Sequence, residues 1–119
     1  MKKILVIDDD PAIQEAFKLI LNSETYDVAT LADGSAVLNG KFEIPDLFIL
    51  DKQLSGVDGI DLCRIIKQRP STKHIPVIII SASPAVERQA LSAGANAVLE
   101  KPFSIGALRE IVSKYVGKE

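Results

Sequence analysis

The sequence predicts an α/β domain in which one parallel five-stranded sheet carries helices on both faces. Three observations lead to it. Five short apolar runs punctuate the chain: Ile4 to Ile7, Val28 to Leu31, Leu47 to Leu50, Val77 to Ile80 and Ala97 to Leu99. The first, third and fourth are unbroken and rich in Ile, Val and Leu, as strands covered on both faces are. Segments with helical spacing alternate with the runs, and parallel strands need such crossovers, which are right-handed.

Taken in order, Ile4 to Ile7 is the first strand and gives way to Asp8, Asp9 and Asp10. Asp10 has the side chain of an N-cap, and Pro11, with no amide donor and a preset φ, suits the first helical position. The first helix then presents Ile13, Ala16, Phe17, Ile20 and Leu21 on one face. Val28 to Leu31 is the second strand, Ser35 to Asn39 a weaker helical segment, and Leu47 to Leu50 the third strand, closed by Asp51. Ile60, Leu62, Cys63, Ile65 and Ile66 mark the third helix, and Cys63 on its apolar face reads as a small core residue. The fourth strand is closed by Ser81, and the weaker segment Ala85 to Ala93 leads to the fifth strand. Ser104 reads as the N-cap of the last helix, with Phe103 and Leu108 spaced as a hydrophobic staple. Ile105, Leu108, Ile111, Val112 and Tyr115 form the apolar face of that helix, and the polar tail from Gly117 reads as a frayed end.

Composition bounds the function. The chain has 119 residues, 47% hydrophobic and 25% charged, which is one globular domain, 1–119, without repeats or linkers. A chain of this length buries roughly two thirds of its unfolded surface, enough for a core without disulfides or a structural metal. Fourteen Lys and Arg against sixteen Asp and Glu leave a net charge of −2, so there is no electrostatic footprint for direct nucleic-acid binding or for an anionic membrane. The single cysteine excludes a disulfide framework and a Cys-rich zinc site. The apolar runs are too short to span a bilayer, and Met1-Lys2-Lys3 leads into only four apolar residues, so no signal peptide is read. The expectation is a soluble cytoplasmic domain.

In a sheet of this kind the ligand site lies outside the carboxyl ends of the strands. Those ends carry Asp8, Asp9 and Asp10, then Asp51, then Ser81, then Glu100, Lys101 and Pro102. Carboxylates gathered at one edge repel each other, and a divalent cation removes the conflict. Oxygen ligands without His or Cys suit a hard ion, and an open site that keeps waters and a phosphate suits Mg²⁺ best. An aspartate facing a metal and a lysine is placed to attack a phosphoryl group, because both cations neutralise charge on the transferring oxygens. Ser81 would donate to one of those oxygens. Metal-assisted phosphorylation of an aspartate is the chemistry these residues describe.

The acidic pair after the first strand, the aspartate after the third, the hydroxyl after the fourth and Lys101-Pro102-Phe103 after the fifth stand in the order of a known family. Over essentially its whole length the chain resembles the receiver domains of bacterial two-component response regulators. The resemblance implies a flavodoxin-like sheet in the strand order 2-1-3-4-5 and a cis bond before Pro102. It implies Asp51 as phosphoacceptor, and Mg²⁺ held by Asp9, Asp51 and the backbone carbonyl of Gln53, with Asp8 acting mainly through water. It also implies Lys101 on the phosphoryl oxygens, Ser81 as the hydroxyl that moves toward them, and Gln53 and Ser83 as residues that tune dephosphorylation. The phosphoryl group would come from a histidine kinase or histidine phosphotransfer protein, since His74, the only histidine, reads as a solvated loop residue. The product would act on a downstream protein or effector domain through the fourth and fifth helices and the strand between them, with no chemistry beyond phosphorylation and dephosphorylation of Asp51. The last two helices are also a candidate homodimer face.

Two departures from the family pattern are visible. Leu54-Ser55 stands where a Met-Pro pair is usual, although Asp58-Gly59 is kept. Val98 stands where the family carries a switch Tyr or Phe, three residues before the lysine, and valine lacks the bulk and the polar tip of that ring. Two rival readings follow from the sequence. Asp8 and Asp10 form the Asp-x-Asp of haloacid-dehalogenase-like phosphatases, whose nucleophile follows the first strand. Val98 alternatively marks a phosphorylation-independent protein-interaction domain.

Overall fold

β1 (Lys2–Ile7) lies at the heart of a sheet completed by β2 (Tyr26–Leu31), β3 (Leu47–Asp51), β4 (Val77–Ser81) and β5 (Ala97–Glu100). All pairings are parallel, in the order β2-β1-β3-β4-β5, as the resemblance implies. The computed structural model describes residues 1–22 and 25–117; the end of the polar tail, residues 118 and 119, lies outside them. Each apolar run forms the body of one strand. β1 and β2 start earlier than their runs, because the backbone of Lys2 pairs with Tyr26 and that of Lys3 with Asp27, whatever the side chains.

Alternation of side chains divides the three central strands between two cores. Leu5, Ile7, Phe48, Leu50, Val77 and Ile79 face one side and Ile4, Val6, Leu47, Ile49, Ile78 and Ile80 the other. The first side is covered by α2 (Ser35–Leu38), α3 (Gly59–Gln68) and α4 (Val86–Ser92), through Val37, Ile60, Leu62, Cys63, Ile66, Val86 and Ala90. The second is covered by α1 (Pro11–Leu21) and α5 (Ile105–Val116), through Phe17, Leu21, Leu108, Val112 and Val116.

The caps are where the sequence puts them. Asp10 accepts a hydrogen bond from the Ala12 amide at 2.9 Å, with Pro11 opening α1, and Ser104 accepts from the Ala107 amide at 3.0 Å. Phe103 and Leu108 share one core cluster. α2 is a single turn whose last carbonyls are held by Arg69: its guanidinium donates to Val37 and, at 2.7 Å, to Leu38. Ile105 departs from expectation. It is 52% exposed rather than part of the core face; it is the first residue of α5, whose buried residues begin one turn later with Leu108. Cys63 is buried as expected, and burial pushes its thiol up to about 11, so it stays protonated at neutral pH. Among the described residues no helix is long and apolar enough to cross a membrane.

Candidate functional site

The register of the sheet decides which side chains meet. Ile7 pairs with Leu50, so the residues that follow them, Asp8 and Asp51, leave the sheet side by side. Asp51 pairs with Ile80, and Ser81 with Glu100. The Lys101 amide donates to the Ser81 carbonyl at 2.8 Å. Strand ends distant in sequence therefore bring Asp8, Asp51, Ser81 and Lys101 to one edge, and the Lys101–Pro102 bond is cis, as the resemblance implies.

Three of these polar side chains are recessed: Asp8 is 1% exposed, Ser81 6% and Asp51 8%. Asp9 and Asp10 are exposed. Asp8 Oδ1 accepts from the Asp10 amide at 2.9 Å, and its carbonyl accepts from the Gln14 amide group at 2.6 Å. Its Oδ2 accepts no hydrogen bond; the Lys101 ammonium stands 4.0 Å away. That ammonium is closer to Asp51, donating to Oδ1 at 3.4 Å. Burial raises the Asp8 carboxyl above its ordinary 3.8, and the charges of Asp51 and Asp9 push the same way; the Asp10 amide and Lys101 oppose them without cancelling the rise.

A buried carboxylate oxygen with no partner calls for a positive group. One oxygen from each of Asp8, Asp9 and Asp51 lies within 4.8 Å of the others. Oxygen donors alone, with one exposed member, fit a hard cation that keeps part of its water shell, and Mg²⁺ is the natural match.

A cavity of about 310 Å³ opens beside Asp51 and is lined by Lys52, Gln53, Ser81, Ser83 and Lys101 among others. The Ser81 hydroxyl is engaged by Ser83: it accepts from the Ser83 amide at 3.1 Å and reaches the Ser83 carbonyl at 3.4 Å. Gln53 and Ser83 are exposed at the mouth. Val98 pairs with Ile79 and packs, half-buried, against the α3–α4 side of the core. His74 is exposed and lines none of the cavity, and Asp10 serves as the α1 cap.

Sequence reasoning missed two contributors. A Cβ on Gly59 would lie 2.1 Å from the Asp51 carbonyl oxygen, so α3 begins against the end of β3 only because this residue has no side chain. The Gly59 amide donates to the Lys52 carbonyl at 2.9 Å, and Asp58 caps the helix by accepting from Ile60 at 2.7 Å. Glycine is a poor first helical residue, and that anomaly was the available signal. Gln14, which holds the Asp8 carbonyl, had none.

Comparison with known proteins assigns this edge to a family. The response regulator receiver domain model matches residues 4–113, and the chain belongs to that family. Over 107 residues it is 38% identical to the phosphate regulon transcriptional regulatory protein PhoB of Rhizobium meliloti, covering 87% of this chain and 47% of that one. It is 38% identical over 104 residues to the response regulator PleD of Caulobacter vibrioides, covering 85% of this chain and 23% of that one. The chain thus spans about half or less of the length of these relatives. Among solved structures, the receiver domain of the sensor histidine kinase PA1611 from Pseudomonas aeruginosa aligns with a TM-score of 0.85 and 29% identity, covering 98% of both chains. That structure holds a magnesium ion in its active site cleft. The family match gives the phosphatase reading no support.

Proposed function

We propose that this chain accepts a phosphoryl group on Asp51 from a histidine kinase or phosphotransfer protein and thereby changes its protein partners. One observation carries the reading: a recessed Asp51 carboxylate faces the Lys101 ammonium inside a cluster whose buried Asp8 Oδ2 accepts no hydrogen bond. In the transfer, an Asp51 oxygen bonds to phosphorus as the bond from phosphorus to the donor nitrogen breaks. The imidazole, protonated on its other nitrogen, leaves with the electron pair. Mg²⁺, held by the carboxylates of Asp8, Asp9 and Asp51 and the backbone carbonyl of Gln53, supplies positive charge to the phosphoryl oxygens when bound. Lys101, 3.4 Å from Asp51 Oδ1, supplies a second charge. Ser81 leaves Ser83 and donates to a phosphoryl oxygen.

No chemistry on other substrates is assigned; the reaction is phosphorylation and dephosphorylation of Asp51, in the cytoplasm. Leu91 on α4 is 48% exposed and Ile105 on α5 is 52% exposed. They support α4, β5 and α5 as the face that meets a downstream protein, an effector domain or a second copy of the chain.

The test is covalent labelling by acetyl phosphate with Mg²⁺ present. Wild type is expected to incorporate phosphate and Asp51→Asn none; undiminished labelling of the variant would sink the assignment. Val98 keeps a second reading in view, in which site chemistry no longer reaches the output face. Amide shifts on adding beryllofluoride, a mimic of the phosphoryl group, separate the two. Shifts that extend to α4 and α5 support the switch, and shifts confined to the cavity support uncoupling.

A further inference from the structure

We propose that Lys52 is a further side-chain cation of the phosphorylation cavity, beside Lys101, held in reserve by Asp58, that draws the anionic phosphodonor toward Asp51. The inference rests on the reading of Asp51 as phosphoacceptor. The Lys52 backbone is fixed on both sides: its amide donates to Ile80 and its carbonyl accepts from Gly59, each at 2.9 Å. Only the side chain is left to move. Its ammonium stands 3.1 Å from Asp58 Oδ2, with both groups partly exposed.

Lys52 also lines two spaces. It lines the cavity of about 310 Å³ together with Asp51, Ser81 and Lys101. It also lines a polar cleft of about 330 Å³ together with Asp58, Asp61 and Arg64. In that cleft Arg64 is already paired with Asp61 at 2.8 Å, so Lys52 is the cation Asp58 holds. In the cavity Lys101 is already committed to Asp51 and Asp8.

A partly exposed Lys–Asp pair is weak, whereas a phosphoryl group offers several charged acceptor oxygens at once. A donor entering the cavity therefore competes with Asp58 for Lys52. Asp58 can release it without loss of the helix cap, because that cap uses Oδ1 and not Oδ2. With acetyl phosphate the step balances simply. The bond from Asp51 oxygen to phosphorus forms, the bond from phosphorus to the acetyl oxygen breaks, and acetate leaves with the electron pair.

The experiment compares rate constants for labelling by acetyl phosphate, at saturating Mg²⁺, in wild type, Lys52→Gln, Lys52→Arg and Asp58→Asn. Asparagine keeps the N-cap. Lys52→Gln is expected to slow labelling about three- to tenfold at low salt and less at high salt, as loss of a steering charge does. Lys52→Arg should restore the rate. Asp58→Asn frees the ammonium and should raise the rate by about twofold. The opposite signs are the signature, since a pair that merely braces the loop would slow both variants alike, and that outcome overturns the proposal. A second readout is the Ile60 amide, whose shift on adding beryllofluoride should be smaller in Lys52→Gln than in wild type. Normal labelling of Lys52→Gln beside an active wild type rejects the role of Lys52 and leaves Asp51 standing. An unlabelled wild type rejects Asp51 and the proposal with it.

Discussion

Ile79 and Ser81 are two residues apart on β4, and Leu50 and Asp51 are neighbours on β3, yet they live under opposite conditions. Ile79 and Leu50 are fully buried among apolar side chains. Asp51 and Ser81 are almost as deeply set but polar, and the adjacent Asp8 carries a buried oxygen with no partner. The middle of the sheet thus stabilises the fold while its carboxyl edge opposes it, through desolvation and like charge. What the contrast teaches is that the edge keeps its arrangement because the strands behind it hold it there.

The largest test of the contrast is Ile79→Ala, which removes three carbons from a fully buried site. It is expected to cost about 3–4 kcal/mol, read as a fall in the urea midpoint at unchanged slope. Gly59→Ala comes next. Its Cβ would meet the Asp51 carbonyl oxygen at 2.1 Å, so α3 or the end of β3 must shift, at about 2–3 kcal/mol by analogy with overpacking. Phosphate incorporation on Asp51 should slow in the same variant, a link that a purely mid-sheet substitution lacks.

Asp8→Asn is the smallest effect and has the opposite sign. Removing one charge from the cluster should stabilise the metal-free protein by about 1 kcal/mol at neutral pH. The pH dependence follows from the raised folded-state pKa of Asp8. The stability this group contributes is full below the unfolded value of 3.8 and is lost as pH rises through the folded value. The advantage of the variant should therefore vanish in acid and grow toward neutrality. Mg²⁺ should stabilise wild type and not the variant. A destabilised metal-free Asp8→Asn would show that the edge supports the fold after all.

The sheet was legible because its signal is long and redundant: each strand is a run of apolar side chains, and burial is what produces such runs. Asp10, Pro11 and Ser104 were legible as caps because capping depends on a single side chain and its immediate neighbours. That Asp8, Asp51, Ser81 and Lys101 share one edge followed from the strand ends; Gln53 entered only through the family resemblance. Its inequalities did not. Asp8 and Asp9 are identical in sequence terms, yet one is buried and the other exposed, because successive residues leaving a strand point to opposite sides. The pairing of Lys52 with Asp58 and the approach of Gly59 to Asp51 are tertiary distances that no local pattern encodes. Ile105 has the right spacing for a core face but sits one turn too early to reach it.

Lys101 reaches the cluster from β5, an edge strand that pairs only with β4, while Asp8 comes from β1 near the start of the chain. Between them in the sheet, β3 and β4 must already lie in register. A chain still emerging from the ribosome, or one clipped ahead of β5, has its acidic residues but not the ammonium that completes their arrangement. The meeting of acid and ammonium at this edge is thus a sign that the sheet has closed from β1 to β5.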